Sequence, residues 1–205
     1  MASGAAFGAR GASAAHLPAG DAASRIVDAA YDLFSRYGVR AVGVDRIIAE
    51  AHVTKRTFYR HHPSKDELVL AFLEERWRRW THGWLETAVE RSSPDPPARI
   101  MAVFDVLDEW FRRPDYEGCS FIRTLHEVPD GLVHEATVRQ LDLVRALIAE
   151  YAAQAGVAHP EEFSYQVQIL MMGSMVSALR GDLDAARRAG EVVALMLGDE
   201  EFARA

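Results

Sequence analysis

AHVTKRTFYRHHPSK, residues 51–65, is the stretch on which the reading of this chain turns. It holds four Lys or Arg, three His and no acid; from residue 52 onward it carries +4 in a chain of net charge −7, so the other 191 residues carry −11. Positive charge is therefore concentrated locally, which the overall balance hides. The punctuation is equally informative. Thr54 is a good N-cap for a short helix that starts at Lys55, and Ser64 with Glu67 makes a Ser-x-x-Glu capping box that opens another.

Upstream, SRIVDAAYDLFSRYG (24–38) sets Ile26, Ala30, Leu33 and Tyr37 at helical spacing, widened by Val27 and Phe34 and stopped by Gly38. Val44, Ile47, Ile48 and Ala51 fit a second helix of about two turns. Helices that short are marginal in water, so both need the first helix and the one that follows to pack against. Downstream, the capped helix runs through LVLAFLEERWRRWTHGWLETAVE (68–90). Its pattern places Trp77, Trp80 and Trp84 on one face, in line with Phe72 and Leu73, and the charges of EERWRR on the other.

SSPDPP (92–97) breaks that helix, and Asp95 with Pro96 opens the next, to about Arg112. Further helices fall at CSFIRTLHE (119–127), from Gly131 to Ala155 with Gly156 as stop, at PEEFSYQVQILMMGSMVSALR (160–180), and at DLDAARRAGEVVALML (182–197). No run reads as a strand and no internal repeat is visible. The expectation is an all-α chain: an N-terminal three-helix helix-turn-helix domain at 21–66 and a C-terminal helical bundle at 67–205 for ligand binding and dimerisation. An Ala- and Gly-rich arm at 1–20 precedes them and reads as disordered.

Composition narrows the function classes. A hydrophobic content of 49% is enough for a packed core, and the single Cys119 permits no disulfide within the chain, which points to a reducing, cytoplasmic setting. No apolar run approaches the roughly 18 residues that span a bilayer. No nucleophile-and-base set, Gly-rich phosphate loop or paired carboxylate stands in a recognisable frame, so neither an enzyme nor a cofactor is expected. His126, Glu127, His134 and Glu135 lack the two-His spacing of a helical zinc site.

Two short helices braced by a longer one describe a helix-turn-helix, whose second helix enters the major groove with its N-terminal residues toward the bases. On that helix Thr54, Lys55, Arg56 and Thr57 lead the exposed surface, Tyr59, Arg60 and His61 follow, and Val53 and Phe58 point inward. An acidic body with one basic face suits a protein that docks a polyanion by that face alone. The other reading is a helical small-molecule-binding or catalytic domain whose basic segment meets an acidic partner.

The residues from IVDAAYDLFSRYG through VTKRTFYRHHPSKDELVLAFL resemble the DNA-binding region of TetR-family transcriptional regulators, over about residues 22–73. The resemblance implies that Thr54, Lys55, Thr57, Tyr59 and His61 line the DNA surface and that Lys65 contacts a phosphate. Arg56 stands where Gly is common in the family and becomes a candidate base reader. Three positions depart from the pattern: Gly43 for a capping Ser or Thr, His52 for the turn Gly, and His62 for a buried aromatic. The resemblance further implies a double-stranded DNA operator of roughly palindromic form, a small-molecule effector and a homodimer through the last two helices.

Candidate effector-lining residues are Trp77, Trp80 and Trp84, then Phe104 and Trp110 with Leu107 and Phe111, and finally Phe121, Arg123 and His126. The same aromatics could equally fill the bundle as core. Arg123 needs a partner, which an anionic ligand or a salt bridge to Glu127 or Asp130 would supply. In the closing pair of helices, apolar surface on more than one side of the first suits a helix buried both by its own bundle and by a partner subunit.

Overall fold

A computed structural model describes residues 21–92 and 95–198. The arm at 1–20 and two residues of the SSPDPP break, Ser93 and Pro94, lie outside the described residues. Helix α1 (Ala22–Tyr37) is capped by Asp21, whose carboxylate accepts from the Ser24 N–H at 2.8 Å. It ends where Gly38 takes φ 85° and donates to the Phe34 carbonyl. Helix α2 (Val44–Glu50) starts at Gly43 without a side-chain cap, and α3 (Lys55–His61) starts at Thr54, whose hydroxyl accepts from the Thr57 N–H at 3.1 Å. Helix α4 (Lys65–Arg76) is capped by Ser64 through the Glu67 N–H.

The long helix is not the uninterrupted α-helix that its pattern predicts. It continues as a π-helical segment, Trp77–Glu86, and returns to α-helix as α5 (Thr87–Ser92). Trp77, at the start of this segment, is half-buried and packs against both apolar clusters of the chain. Trp80 and Trp84 instead meet Trp110 of α6 (Pro96–Phe111), with ring centroids 4.7 Å apart for Trp80–Trp110 and 5.4 Å for Trp80–Trp84. Helices α7 (Ser120–Glu127), α8 (Gly131–Gln154), α9 (Pro160–Leu179) and α10 (Ala185–Gly198) complete the bundle. Among the described residues there is no strand.

Two apolar clusters organise these helices. The first is built by Ile26, Ala30 and Phe34 of α1, Ile47 of α2, Phe58 of α3, and Leu68 and Phe72 of α4; Phe121, Val133 and Ala136 of α7 and α8 close it. The second runs from Trp80 and Leu85 through Leu107 and Ile148 to Phe163, Met171 and Val193. The core beneath the helix-turn-helix thus draws residues from beyond position 66, so the reading unit is seated on the body.

The turn between α2 and α3 carries a local strain. His52 has φ 51°, and it is the one non-glycine residue with positive φ among those described. A side chain in that region costs free energy that glycine does not incur. His52→Gly is expected to stabilise the fold by about 1 kcal/mol, raising the melting temperature by roughly 2–4 °C. Calorimetric melting of the two proteins checks it; an unchanged or lowered midpoint contradicts it.

Candidate nucleic-acid interface and effector cavity

The outer face of α3 follows the sequence pattern except at Thr57, and Val53, expected inward, is half-buried. Phe58 is fully buried, while Thr54, Lys55, Arg56, Tyr59, Arg60 and His61 are exposed and Thr57 is half-buried. Thr54 and Thr57 join hydroxyls at 2.9 Å, which fixes the first turn of the helix. Lys55 lies 3.8 Å from Asp45 of α2, an exposed pair of little strength. Among the described residues Arg56 makes no hydrogen bond or ion pair, so its fork of donors stands free at the N-terminal turn. Half-buried Lys65 opens α4 beside this face, and burial holds its ammonium below the usual lysine range. Arg25 of α1 donates to the Ala51 carbonyl at 3.2 Å and ties the turn to its brace.

The other end of α1 is held by the body. Arg123 of α7 donates from Nη1 to the Ser35 carbonyl at 2.8 Å and from Nη2 to the Glu117 carbonyl at 2.6 Å. Its partners are therefore backbone carbonyls rather than Glu127 or Asp130. Glu127 accepts from the Arg40 N–H at 2.9 Å and sits so close to Gly38 that a Cβ there would fall 2.1 Å from its Oε1. On the opposite side, Arg79 pairs with Asp28, and Arg76 donates to the Tyr31 hydroxyl at 3.1 Å.

Two cavities flank this junction. One, of about 340 Å³, lies between α1, the Trp-bearing helix, α6 and the loop at 112–119. Trp80, Trp84, Trp110 and Tyr116 form its apolar wall, and Tyr31, Ser35, Arg76, Arg113 and Glu117 its polar side. The other, of about 420 Å³, lies between α7 and α9; Cys119, Ile122, Arg123 and His126 face Met175, Val176 and Leu179 across it. Burial pushes the Cys119 thiol up and so keeps it protonated. Among the described residues no group of three His, Cys, Asp or Glu side chains could hold a metal ion, and no helix is long and apolar enough to cross a membrane.

The expected effector residues are thus divided. Trp80, Trp84 and Trp110 share the first cavity, Arg123 and His126 border the second, and Trp77, Phe104 and Phe121 line neither. Phe104 is buried beside Gly190 of α10, and Phe121 fills the cluster beneath the helix-turn-helix. Conversely, Arg76 is not on a solvated face of EERWRR: it is 7% exposed. The spacing of Phe72, Arg76 and Trp80, each four apart, already puts all three on one helix face. Tyr31 and Tyr116 carry no such signal, because long-range packing brings them to the cavity.

Residues 26–72 match the family described as bacterial regulatory proteins, tetR family. A TetR-family transcriptional regulator from Streptomyces coelicolor is 30% identical, with a TM-score of 0.78 over 88% of this chain and 96% of its own. A TetR transcriptional regulator from Chloroflexus aurantiacus shares the fold at 20% identity, with a TM-score of 0.74 over 87% of this chain and 95% of its own. NemR of E. coli in its reduced form does so at 18% identity and a TM-score of 0.74, over 84% and 95%. No curated protein matches the chain.

His62 marks a weak point behind the reading helix. It is half-buried against Phe58, ring centroids 6.2 Å apart, and its Nε2 has no hydrogen-bond partner. Burial, then the neighbouring His61, holds its pKa below the ordinary histidine value. The unfolded chain therefore binds a proton that the folded one resists, and stability falls as pH drops through about 6.5 toward the lower folded value. His62→Phe removes this penalty. Its melting-temperature advantage over the parent is expected to widen between about pH 8 and about pH 5; an advantage independent of pH contradicts the assignment.

Proposed function

The chain belongs to the TetR family of bacterial regulatory proteins, and from that premise we propose that it is a ligand-responsive repressor that binds a roughly palindromic operator as a cytoplasmic homodimer. Residues 21–66 read DNA, and residues 67–205 hold the partner subunit and, with α1 closing one wall, the effector. The observation that carries the reading is the free guanidinium of Arg56 on the first turn of α3, flanked by exposed Lys55 and Arg60 and half-buried Lys65. Phosphate neutralisation by the lysines supplies affinity, while Arg56, which can address guanine O6 and N7 with two donors, supplies discrimination.

Dimerisation is supported by α9, where Tyr165, Ile169, Gly173, Val176 and Leu179 are exposed along one side and none is charged, Arg145 lying over the Tyr165 ring at one end. Ile169 is 69% exposed, and Leu195 on the adjoining α10 is 76% exposed. A second copy laid antiparallel on this face would bury both and hold the two α3 helices for half-sites about 34–36 Å apart. The effector site is the cavity of Trp80, Trp84 and Trp110. Tyr31, Asp32, Ser35 and Arg36 of α1 form part of its wall, so an occupant acts directly on the helix that braces the reader. It moves the equilibrium only by its difference in affinity between the two arrangements.

Gel shift of the DNA upstream of the protein's own gene tests the proposal: a shift at low salt is expected, and none with folded protein would favour the acidic-partner reading instead. Lys65→Ala is expected to weaken binding to all sequences and lower the salt slope by about 1, whereas Arg56→Ala costs about 1–3 kcal/mol at one base position and relaxes preference there. Ile169→Glu is expected to yield a monomer by analytical ultracentrifugation and lose operator affinity; a dimer in that variant removes α9 from the interface.

A further inference from the structure

The Trp-lined cavity has a chemical polarity that names the class of molecule it takes. Arg76 is 7% exposed, yet among the described residues it forms no ion pair, and its hydrogen bond is to the Tyr31 hydroxyl. Its guanidinium also lies 5.6 Å from the Trp80 ring and 5.8 Å from the Tyr31 ring; those faces meet part of its charge, but its remaining N–H donors find no acceptor among the described residues, which is costly away from water. The other deep polar groups point the same way. Trp80 Nε1, a donor only, and Ser35 Oγ are buried without a partner, and both residues line the same cavity. Arg76, Ser35 and Trp80 thus place unmet donor capacity in the wall of one cavity.

The carboxylates of the wall do not cancel this excess. Asp115 is held by Arg113 at 2.8 Å, and Asp32 is exposed at the mouth. Glu117 is half-buried and forms no ion pair with Arg76 among the described residues; burial raises its carboxyl above the ordinary range, against the opposing pull of Arg76 and Arg123. The same cavity is lined by the rings of Trp84, Trp110 and Tyr116, with Trp110 and Tyr116 at 4.8 Å between ring centroids. A volume near 340 Å³ is at the small end of ligand pockets, about 300–1,000 Å³.

We infer that the cavity binds a small aromatic carboxylate, its acid group held by Arg76 and its ring against Trp84, Trp110 and Tyr116. This rests on the reading of the cavity as the effector site and adds the ligand class and the anchoring cation. A lipophilic cation, which the aromatic wall alone would accept, is the competing occupant, and it leaves Arg76 unanswered. The acid group lands beside Ser35, whose own carbonyl is held by Arg123, so the ligand sits against the junction that orients α1.

The test uses the full chain without DNA and three probes of one shape: 1-naphthoate, 1-naphthamide and 1-naphthylmethylammonium. Binding is followed by quenching of tryptophan emission and by calorimetry. Naphthoate is expected to bind at least about tenfold more tightly than the amide, and Arg76→Met, which keeps the stem but removes the charge, to abolish that preference. Amide or ammonium binding as tight as naphthoate, a preference that survives in folded Arg76→Met, or no naphthoate binding at millimolar concentration overturns the inference. The comparison in the parent protein decides even if the variant fails to fold. Naphthoate binding that leaves DNA affinity unchanged would instead keep the ligand class and overturn the regulatory reading.

Discussion

An α-helix ends in carbonyls that have no partner within it, and the C-terminal end of α1 lies between two units that must both be positioned. Here the body supplies the partners. The Arg123 guanidinium caps the Ser35 carbonyl at 2.8 Å, where a cation also meets the negative end of the helix dipole. Glu127 takes the Arg40 N–H just beyond, and Gly38 is required there twice over, by its φ of 85° and by the carboxylate against it. These bonds make α1 a beam with one end in the body. Its buried face carries Ile26, Ala30 and Phe34, on which α2, α3 and α4 all depend.

That arrangement explains why the reading helix can be so short. Seven residues of α3 are not stable alone; Phe58 pins them to α1, Thr54 caps them, and Arg25 fixes the turn before them. The charge of the chain follows the same division. Positive groups stand on α3, while the acidic remainder restrains binding to arbitrary polyanions. Tyr165, Ile169 and Gly173 of α9 are exposed, and a twofold partner laid there would set the spacing of two such readers.

Local features were legible in the sequence and long-range ones were not. The caps at Thr54 and Ser64, the stop at Gly38, the inward Phe58 and the positive φ of His52 each follow from a residue and its immediate neighbours, and each is found. The cavity was legible only in part. Trp80, Trp84 and Trp110 are there because a helical stripe of rigid aromatics has few other places to go. Phe104 and Phe121 obey the same pattern and are core, because periodicity says which face is buried and not what it is buried against. Trp77 packs against both apolar clusters and lines neither cavity, and no composition signal announced the π-helical winding that begins there. Arg123 and Arg76 exchanged their expected circumstances. The first finds backbone carbonyls through the fold, and the second, read as a surface charge, is buried with donors to spare.

The central claim is that the hold of α7 on α1 sets the orientation of the DNA reader from a distance. Arg123→Met tests it most directly, with affinity measured on a duplex selected from random sequence by the parent protein. Arg123 belongs to α7, away from the reading face, and its two hydrogen bonds go to carbonyls of α1 and the loop before α7, so the substitution tests transmission through the beam. With the variant folded by circular dichroism, the account predicts that affinity for the selected duplex falls by about tenfold or more while the salt slope is retained, since the phosphate contacts themselves are untouched. Unchanged affinity for that duplex in the folded variant would contradict it.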